Sequence, residues 1–332
     1  MIKEVIENDL VELQKINDFL KKSKNSEYTQ NIKWNHIRNE KNKYYLYCEN
    51  CDSEILWVCN LLEKERGGER YIYAPRGPVL DYSDEKVLKI FFEQIKLWML
   101  NKGYQKLVMN PCIDYDVLSI ISKVTSYSLV ERDNYEMLLD SCKLAIMNID
   151  KNEDAIIKKL PSKFRQNTRR SYRKKLKSKI SKDVDFDNFY KLYIQTSQRH
   201  NFNPHSIDYF KKIYDEFYEE LIFLEVWYEN MPLAMSMDLV YNDKLIYLYG
   251  VSSSENRNLL GMYNMQWEAI KYCIRNKIKF YDFGGVFCEE NDLNNKDYGL
   301  YKFKKGYCYD GFIDVVPDII IDLNKDVIVW LT

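Results

Sequence analysis

The sequence predicts an α+β protein of two tandem domains, each an antiparallel-rich mixed sheet flanked by helices. Three observations carry that reading. The chain of 332 residues is longer than one ordinary domain and suits two. Its 46% hydrophobic and 30% charged residues are a globular composition, which excludes wholesale disorder. One succession of elements, three strands, a helix and a further strand, occurs twice, about 175 residues apart.

In the first copy, 44–48, 55–61 and 71–74 are strand-forming runs separated by polar turns. The helix that follows takes Ser83 as N-cap, Asp84 and Glu85 in its first turn, and Gly103 just past its end. Val87, Ile90, Phe91, Ile95, Leu97 and Trp98 are its expected buried face. Lys106–Met109 is the closing strand. In the second copy, 222–227, 233–240 and 245–250 form a meander, with turns at Glu229-Asn230 and Asn242-Asp243. A helix over 262–276 and a strand over 279–283 complete it. A period this long means duplicated domains rather than a solenoid. Meander, helix and strand make an α+β sandwich of the kind N-acyltransferases use, although a fold alone assigns no chemistry.

Lys plus Arg number 49 and Asp plus Glu 50, which excludes a uniformly basic nucleic-acid coat. Charge is nevertheless segregated. Residues 158–182 hold 12 Lys or Arg and no acid, so this segment carries +12 and the rest of the chain −13. A merely solvated helix face mixes Glu with Lys to gain i,i+4 pairs. The tract therefore reads as a basic helix that binds a polyanion, either nucleic acid or an anionic membrane. Phe164 and Tyr172 within it read as core. No run of 18 apolar residues suggests a transmembrane helix, and the acidic opening residues do not read as a secretory signal. Eight cysteines at 48, 51, 59, 112, 142, 273, 288 and 308 are scattered as reduced thiols of a cytoplasmic protein would be. Cys48-Glu49-Asn50-Cys51 stands alone as a C-x-x-C and reads as a hairpin turn. With three histidines, no metal site is expected.

Five motifs occur in order: Glu27-Tyr28-Thr29-Gln30-Asn31-Ile32-Lys33-Trp34; Tyr73-Ala74-Pro75-Arg76-Gly77-Pro78-Val79; Leu160-Pro161-Ser162-Lys163 with its basic continuation; Tyr281-Asp282-Phe283-Gly284-Gly285; and Gly299-Leu300-Tyr301-Lys302-Phe303-Lys304-Lys305-Gly306. Together they resemble the FemABX family over residues 20–322. The resemblance implies tandem N-acyltransferase (GNAT-like) folds that move an amino acid from aminoacyl-tRNA to the side-chain amine of a peptidoglycan precursor. No heptad segment long enough for a coiled-coil insertion is present, so the chain is similar to the compact FemX-type branch. It implies a first domain of 1–147 completed by the C-terminal strand of 312–332, at about 312–329, and a second of 148–311 opening with the basic helix 158–182. The expected acceptor is a UDP-linked or lipid-linked muropeptide. The expected enzyme is a monomer without cofactor, cytoplasmic, with transient contact at the inner membrane face. An acyl-CoA enzyme of this fold needs a Q/R-x-x-G-x-G/A loop to hold pyrophosphate at a helix N-terminus, and 255–262 lacks that spacing.

The same resemblance names site residues. Lys304 matches a lysine placed to stabilise transition-state charge, and Phe303 would shape the acyl pocket. The bland alternative is that Lys302, Lys304 and Lys305 form a solvated strand edge. Asn110, in Met-Asn-Pro, stands where FemX-type relatives have Asp; it cannot act as a base but can orient an amine. Asp114 or Asp116 would then serve as base, or the substrates themselves. Arg38, Arg76, His205, Tyr209, Tyr247 and Tyr249 form the expected acceptor-binding set. Lys163, Arg165, Arg169, Arg170 and Arg173 form the tRNA-binding set. The sequence leaves open a related transferase with another acceptor (lipid, protein N-terminus or natural-product peptide), a CoA-dependent acetyltransferase, and a non-catalytic tRNA- or membrane-binding module.

Overall fold

The computed structural model describes residues 2–5, 9–132, 143–316 and 318–331. The chain divides into two compact units, Met1–Cys142 with Asp314–Thr332, and Lys143–Ile313. The first unit runs β1 (Ile2–Glu4), α1 (Leu10–Lys22), a 3-10 turn (Tyr28–Gln30), α2 (Ile32–Ile37), β2 (Lys43–Glu49), β3 (Ile55–Arg66), β4 (Glu69–Ala74), β5 (Val79–Leu80), α3 (Glu85–Lys102), β6 (Lys106–Met109), α4 (Asp116–Val124) and β7 (Ser128–Arg132). The second runs β8 (Lys143–Asn148), α5 (Glu153–Lys159), α6 (Ser162–Ser171), a 3-10 turn (Tyr172–Lys174), β9 (Lys177–Ser181), α7 (Phe186–His200), α8 (Ile207–Glu216), β10 (Leu221–Tyr228), β11 (Met231–Tyr241), β12 (Lys244–Ser252), α9 (Gly261–Arg275), β13 (Phe280–Gly285), α10 (Tyr298–Tyr307) and β14 (Ile313–Asp314). The chain then returns to the first unit as β15 (Ile319–Asp322) and β16 (Val327–Leu331).

The two sheets share one plan. In the first, β2, β3 and β4 form an antiparallel meander, and β6 pairs parallel with β4 after the α3 crossover. In the second, β10, β11 and β12 do the same, and β13 pairs parallel with β12 after α9. Parallel neighbours need such a crossover, and here a helix supplies it. A fifth strand then pairs antiparallel with the fourth: β15 on β6, and β8 on β13. The first unit takes this strand from the end of the chain, whereas the second takes it from its own beginning.

Each crossover helix buries one stripe. On α3, Val87, Leu88, Phe91, Phe92, Ile95, Trp98 and Met99 face the sheet, with Phe91 edge-on to Trp57 at 5.3 Å. Leu97, expected in this stripe, is 62% exposed because it lies about 200° around the helix from Ile95. Asp84, not Ser83, is the N-cap; its carboxylate accepts from Lys86 N and Val87 N. Gly103 ends the helix at φ +79°, where a β-carbon is strained.

Three boundaries differ from the sequence reading. The tract 158–182 is not one helix. Pro161, which has no N–H to continue α5, starts α6; Lys175 turns left-handed at φ +56°; and β9 joins β10 as a strand. Residues 312–329 are not one strand: β14 lies beside β8 in the second sheet, and β15 and β16 form a hairpin in the first. The second unit begins at Lys143 rather than at 148, because β8 pairs with β13. Cys48-Glu49-Asn50-Cys51 does lie at the turn between β2 and β3, and neither cysteine is in a disulfide.

Candidate active site

In the first unit, two of the recognised motifs hold one another. Thr29 Oγ1 and Gln30 Nε2 donate to Pro75 O at 2.8 and 2.7 Å, and Asn60 N donates to Gln30 Oε1 at 2.9 Å. A β-carbon on Gly77 would meet the Gln30 amide at 2.3 Å, so only glycine fits the turn. The Gly77-Pro78 bond is cis. Asn110, buried at the end of β6, accepts from Arg76 N at 2.6 Å and donates to the Tyr73 hydroxyl at 2.8 Å. Arg76 has φ +53° and extends Nη1 to Cys112 Sγ at 3.1 Å. Asn110 and Arg76 are thus brought together, and the Asn110 amide fixes the arginine turn. Asp114 and Asp116 are both exposed near the start of α4.

Arg38 is the C-cap of α2. Its guanidinium forks onto Glu40, with Nε at 3.1 Å and Nη2 at 2.6 Å, and Lys64 adds a second cation at 2.5 Å. Burial pushes the Glu40 carboxyl up, but the hydrogen bonds from Arg38 and Lys64 outweigh it and hold the group at about 2. The trio carries one net positive charge. Sequence reasoning missed Glu40, although an acid two residues beyond the arginine was a visible signal.

In the second unit, a bulge sorts the tyrosines. On β12, Tyr247 pairs with Asp238 and Tyr249 with Met237, so the register shifts between them. The shift sends the two rings to opposite faces of the sheet. Tyr249 meets Tyr209 of α8, hydroxyl to hydroxyl at 3.1 Å, and His205 stacks on Tyr209 at 4.2 Å. Tyr247 turns to the other face, toward Phe283 and Phe303 at 6.0 and 6.5 Å. Of the expected acceptor set, His205, Tyr209 and Tyr249 therefore form one cluster, and Tyr247 belongs with Phe303.

Lys304 lies on α10 and is 7% exposed, so it is not part of a solvated strand edge. Its Nζ donates to Gly285 O at 2.5 Å. Gly284, at φ +77°, donates its N–H to Asp282 Oδ1 at 2.7 Å, within the glycine turn that Lys304 reaches. Lys302 and Lys305 are exposed, and Lys305 pairs with Glu290. Buried Cys308 registers both charges: burial and then Asp282 push its thiol up to about 12, and Lys304 opposes them. A desolvated ammonium can stabilise a developing oxyanion more strongly than the same charge in water.

Ser162, Arg165, Gln166, Arg169, Arg170 and Arg173 line a cavity of about 500 Å³ on α6 and the turn after it. Lys163 is exposed and does not line it. Among the described residues, none of these four arginines is paired with a carboxylate; Arg165 donates to Lys158 O at 2.9 Å. Phe164 is packed among Tyr263, Tyr307 and Gly306. Tyr172, expected in the core, is 44% exposed, with Lys271 over its ring at 4.5 Å. Among the described residues there is no cluster of three or more metal-ligating side chains, and no helix is long and apolar enough to cross a membrane.

The FemAB family model matches residues 11–142, 140–226 and 223–315. The chain belongs to the FemAB family. Its similarity to this FemAB family extends to named proteins. The UDP-N-acetylmuramoylpentapeptide-lysine N(6)-alanyltransferase of Weissella viridescens is 23% identical over 96% of this chain and 98% of its own. The crystal structure of FemX superposes with a TM-score of 0.79 at 19% identity, covering 99% of this chain and 96% of that one. A tandem GNAT protein from the clavulanic acid biosynthesis pathway superposes with a TM-score of 0.54 at 8% identity, covering 96% and 97%. This FemAB chain therefore has the tandem GNAT-like α+β architecture.

Proposed function

We propose that this protein moves an amino acid from aminoacyl-tRNA to the side-chain amine of a peptidoglycan precursor pentapeptide, forming an interpeptide bridge. The observation that carries the reading is Lys304: a buried lysine, beside Phe303 and reaching a glycine turn, in a chain matched by the FemAB family almost throughout. The reaction is aminolysis of an ester. The ester is already reactive, so the protein chiefly holds two substrates in register and stabilises the oxyanion. In this reading Lys304 meets the oxyanion and Phe303 walls the acyl pocket. In the second unit His205, Tyr209 and Tyr249 contact the acceptor, whereas Tyr247 lies on the opposite face of the sheet with Phe303 and is not part of that cluster; in the first unit Arg38 and Arg76 are the cations for the acceptor phosphates. Asn110 orients through the Arg76 turn and is not a base. The acid-free arginine face of α6 takes the phosphodiester backbone of the donor. The work is done in the cytoplasm, on a UDP-linked or lipid-linked muropeptide.

The test is direct. The protein is incubated with a set of charged tRNAs and a nucleotide-linked muropeptide, and the product mass is read. Gain of one or more amino acid masses, dependent on charged tRNA and indifferent to acetyl-CoA, is expected. Product from CoA thioesters, with none from charged tRNA, overturns the proposal.

A further inference from the structure

We propose that Asp282 is a positioning residue for Lys304: it closes the Gly284-Gly285 turn whose carbonyl holds the ammonium in place. The inference rests on the aminoacyl-transfer reading above and names the side chain that keeps its oxyanion donor in register.

The strands around Asp282 create the turn. β12 and β13 pair in parallel from Lys244–Phe280 to Ile246–Asp282, yet β12 runs on to Ser252. Asp282 is therefore the residue at which these two strands part. On the other side of β13, Asp282 stands opposite Ile146 of β8 and Gly285 opposite Leu144. Three steps along β13 match two along β8, which is a bulge of one residue. Just beyond it, Val286 N donates to Lys143 O at 2.9 Å. That bond makes Gly285 and Leu144 a pair without mutual hydrogen bonds, so the Gly285 carbonyl points away from β8.

The Asp282 carboxylate closes the bulge. Gly284 turns left-handed at φ +77°, and its N–H goes to Asp282 Oδ1 at 2.7 Å. An aspartate that accepts from the backbone two residues on makes an Asx turn. Asp282 is buried, so water competes little for that bond. Lys304 Nζ then donates to Gly285 O at 2.5 Å, and a β-carbon on Gly284 would stand 4.0 Å from the same nitrogen. The ammonium lies along the turn that Asp282 closes. Both side chains also act on Cys308, the C-cap of α10: burial raises its thiol most, Asp282 raises it further and Lys304 opposes them.

This arrangement suits an oxyanion donor. A lysine side chain is long and flexible, and a donor helps only when its position is set before the charge develops. A carboxylate bonded directly to the ammonium would fix it but cancel its charge. A backbone carbonyl fixes it and leaves the charge whole. Asp282 thus acts through the backbone of the turn.

The experiment measures kcat and acceptor KM in the charged-tRNA assay for wild type, Asp282→Ala, Asp282→Asn and Asp282→Glu, each with and without Lys304→Ala. Asp282→Ala should lower kcat by about 10–10²-fold with acceptor KM unchanged, the scale of a misplaced catalytic group. Asn offers an oxygen at the same place and should recover most of the loss. Glu keeps the charge but carries its oxygens one methylene farther, and should not. In the Lys304→Ala background none of the three should lower kcat further, because the group they misplace is gone. A merely structural Asp282 would cost the same in both backgrounds. A folded Asp282→Ala enzyme with wild-type kcat, or a loss undiminished without Lys304, overturns the inference. Should Asp282→Ala misfold, Asp282→Glu and Asp282→Asn carry the same comparison: Glu with wild-type kcat, or Asn no better than Glu, overturns it. Failure of both Ala and Glu variants to fold assigns Asp282 to stability and overturns it too. Wild type that transfers nothing from any charged tRNA defeats the functional reading instead, a result distinct from a silent Asp282→Ala in an active enzyme.

Discussion

The Phe164 ring lies where a side chain on Gly306 would have to go. A β-carbon at 306 would stand 1.9 Å from the ring. The same ring meets Tyr307 edge-on at 5.2 Å. Phe164 belongs to the arginine-bearing helix and Gly306 to the helix of Lys304, so this contact packs two helices of the second unit against each other.

Gly306→Ala should therefore destabilise the protein by about 1–3 kcal/mol, the usual range for overpacking a filled core. Thermal unfolding measures it. Adding Phe164→Leu should recover part of the loss, and the double-mutant cycle should show coupling between the two positions. Additive losses would mean that the helices part without strain.

Lys304→Ala should lower kcat by roughly 10²–10³ with little change in acceptor KM, the loss typical of an oxyanion donor. Lys304→Arg keeps the charge but not its placement beside Gly285, so rescue should be partial. Single-turnover kinetics on folded variants decide it. Wild-type turnover by Lys304→Ala would move the catalytic charge elsewhere.

Arg38 and Glu40 act on two readouts. Arg38→Ala should raise the acceptor KM and leave kcat nearly intact. The Glu40 carboxyl is depressed from 4.5 to about 2, so its contribution to stability is full above pH 4.5 and is lost as pH falls toward 2. The stability difference between wild type and Glu40→Gln should accordingly shrink over that interval. A difference independent of pH would contradict the ion-pair account.

Replacing Arg165, Arg169, Arg170 and Arg173 with Gln should weaken tRNA binding and reduce its salt slope by roughly 0.7–0.9 per lost phosphate contact. Lys163→Gln, outside the cavity, should do less. Titrations at several salt concentrations check this. Unchanged tRNA affinity with lost binding to anionic vesicles would assign the arginines to a membrane surface.

Elements with a strong period were legible in the chain. Lys106–Met109 matches to the residue, and the two meanders and crossover helices differ only at their ends. Local chemistry explains the misses. Ser83 and Asp84 are both good caps, and which one turns is decided by backbone geometry. The basic tract shows no apolar period, so composition suggested a helix where Pro161 and a left-handed Lys175 break it. At the site, the residue types were legible but their grouping was not. Tyr247 and Tyr249 are two apart and should share a face; a one-residue bulge parts them.

The first sheet cannot be closed by its own stretch of chain. Met109 of β6 pairs with Ile319 of β15, across the whole of the second unit. During synthesis β6 must wait with a bare edge until more than 200 further residues have been made. The second unit draws all five shared strands from Lys143–Gly285 and meets no such delay. The later-made half should thus mature first, the reverse of the usual order along a nascent chain. Pulse-labelled hydrogen exchange during refolding should find amides of β11 and β12 protected before those of β6. Earlier protection of β6 would mean that its edge closes without β15.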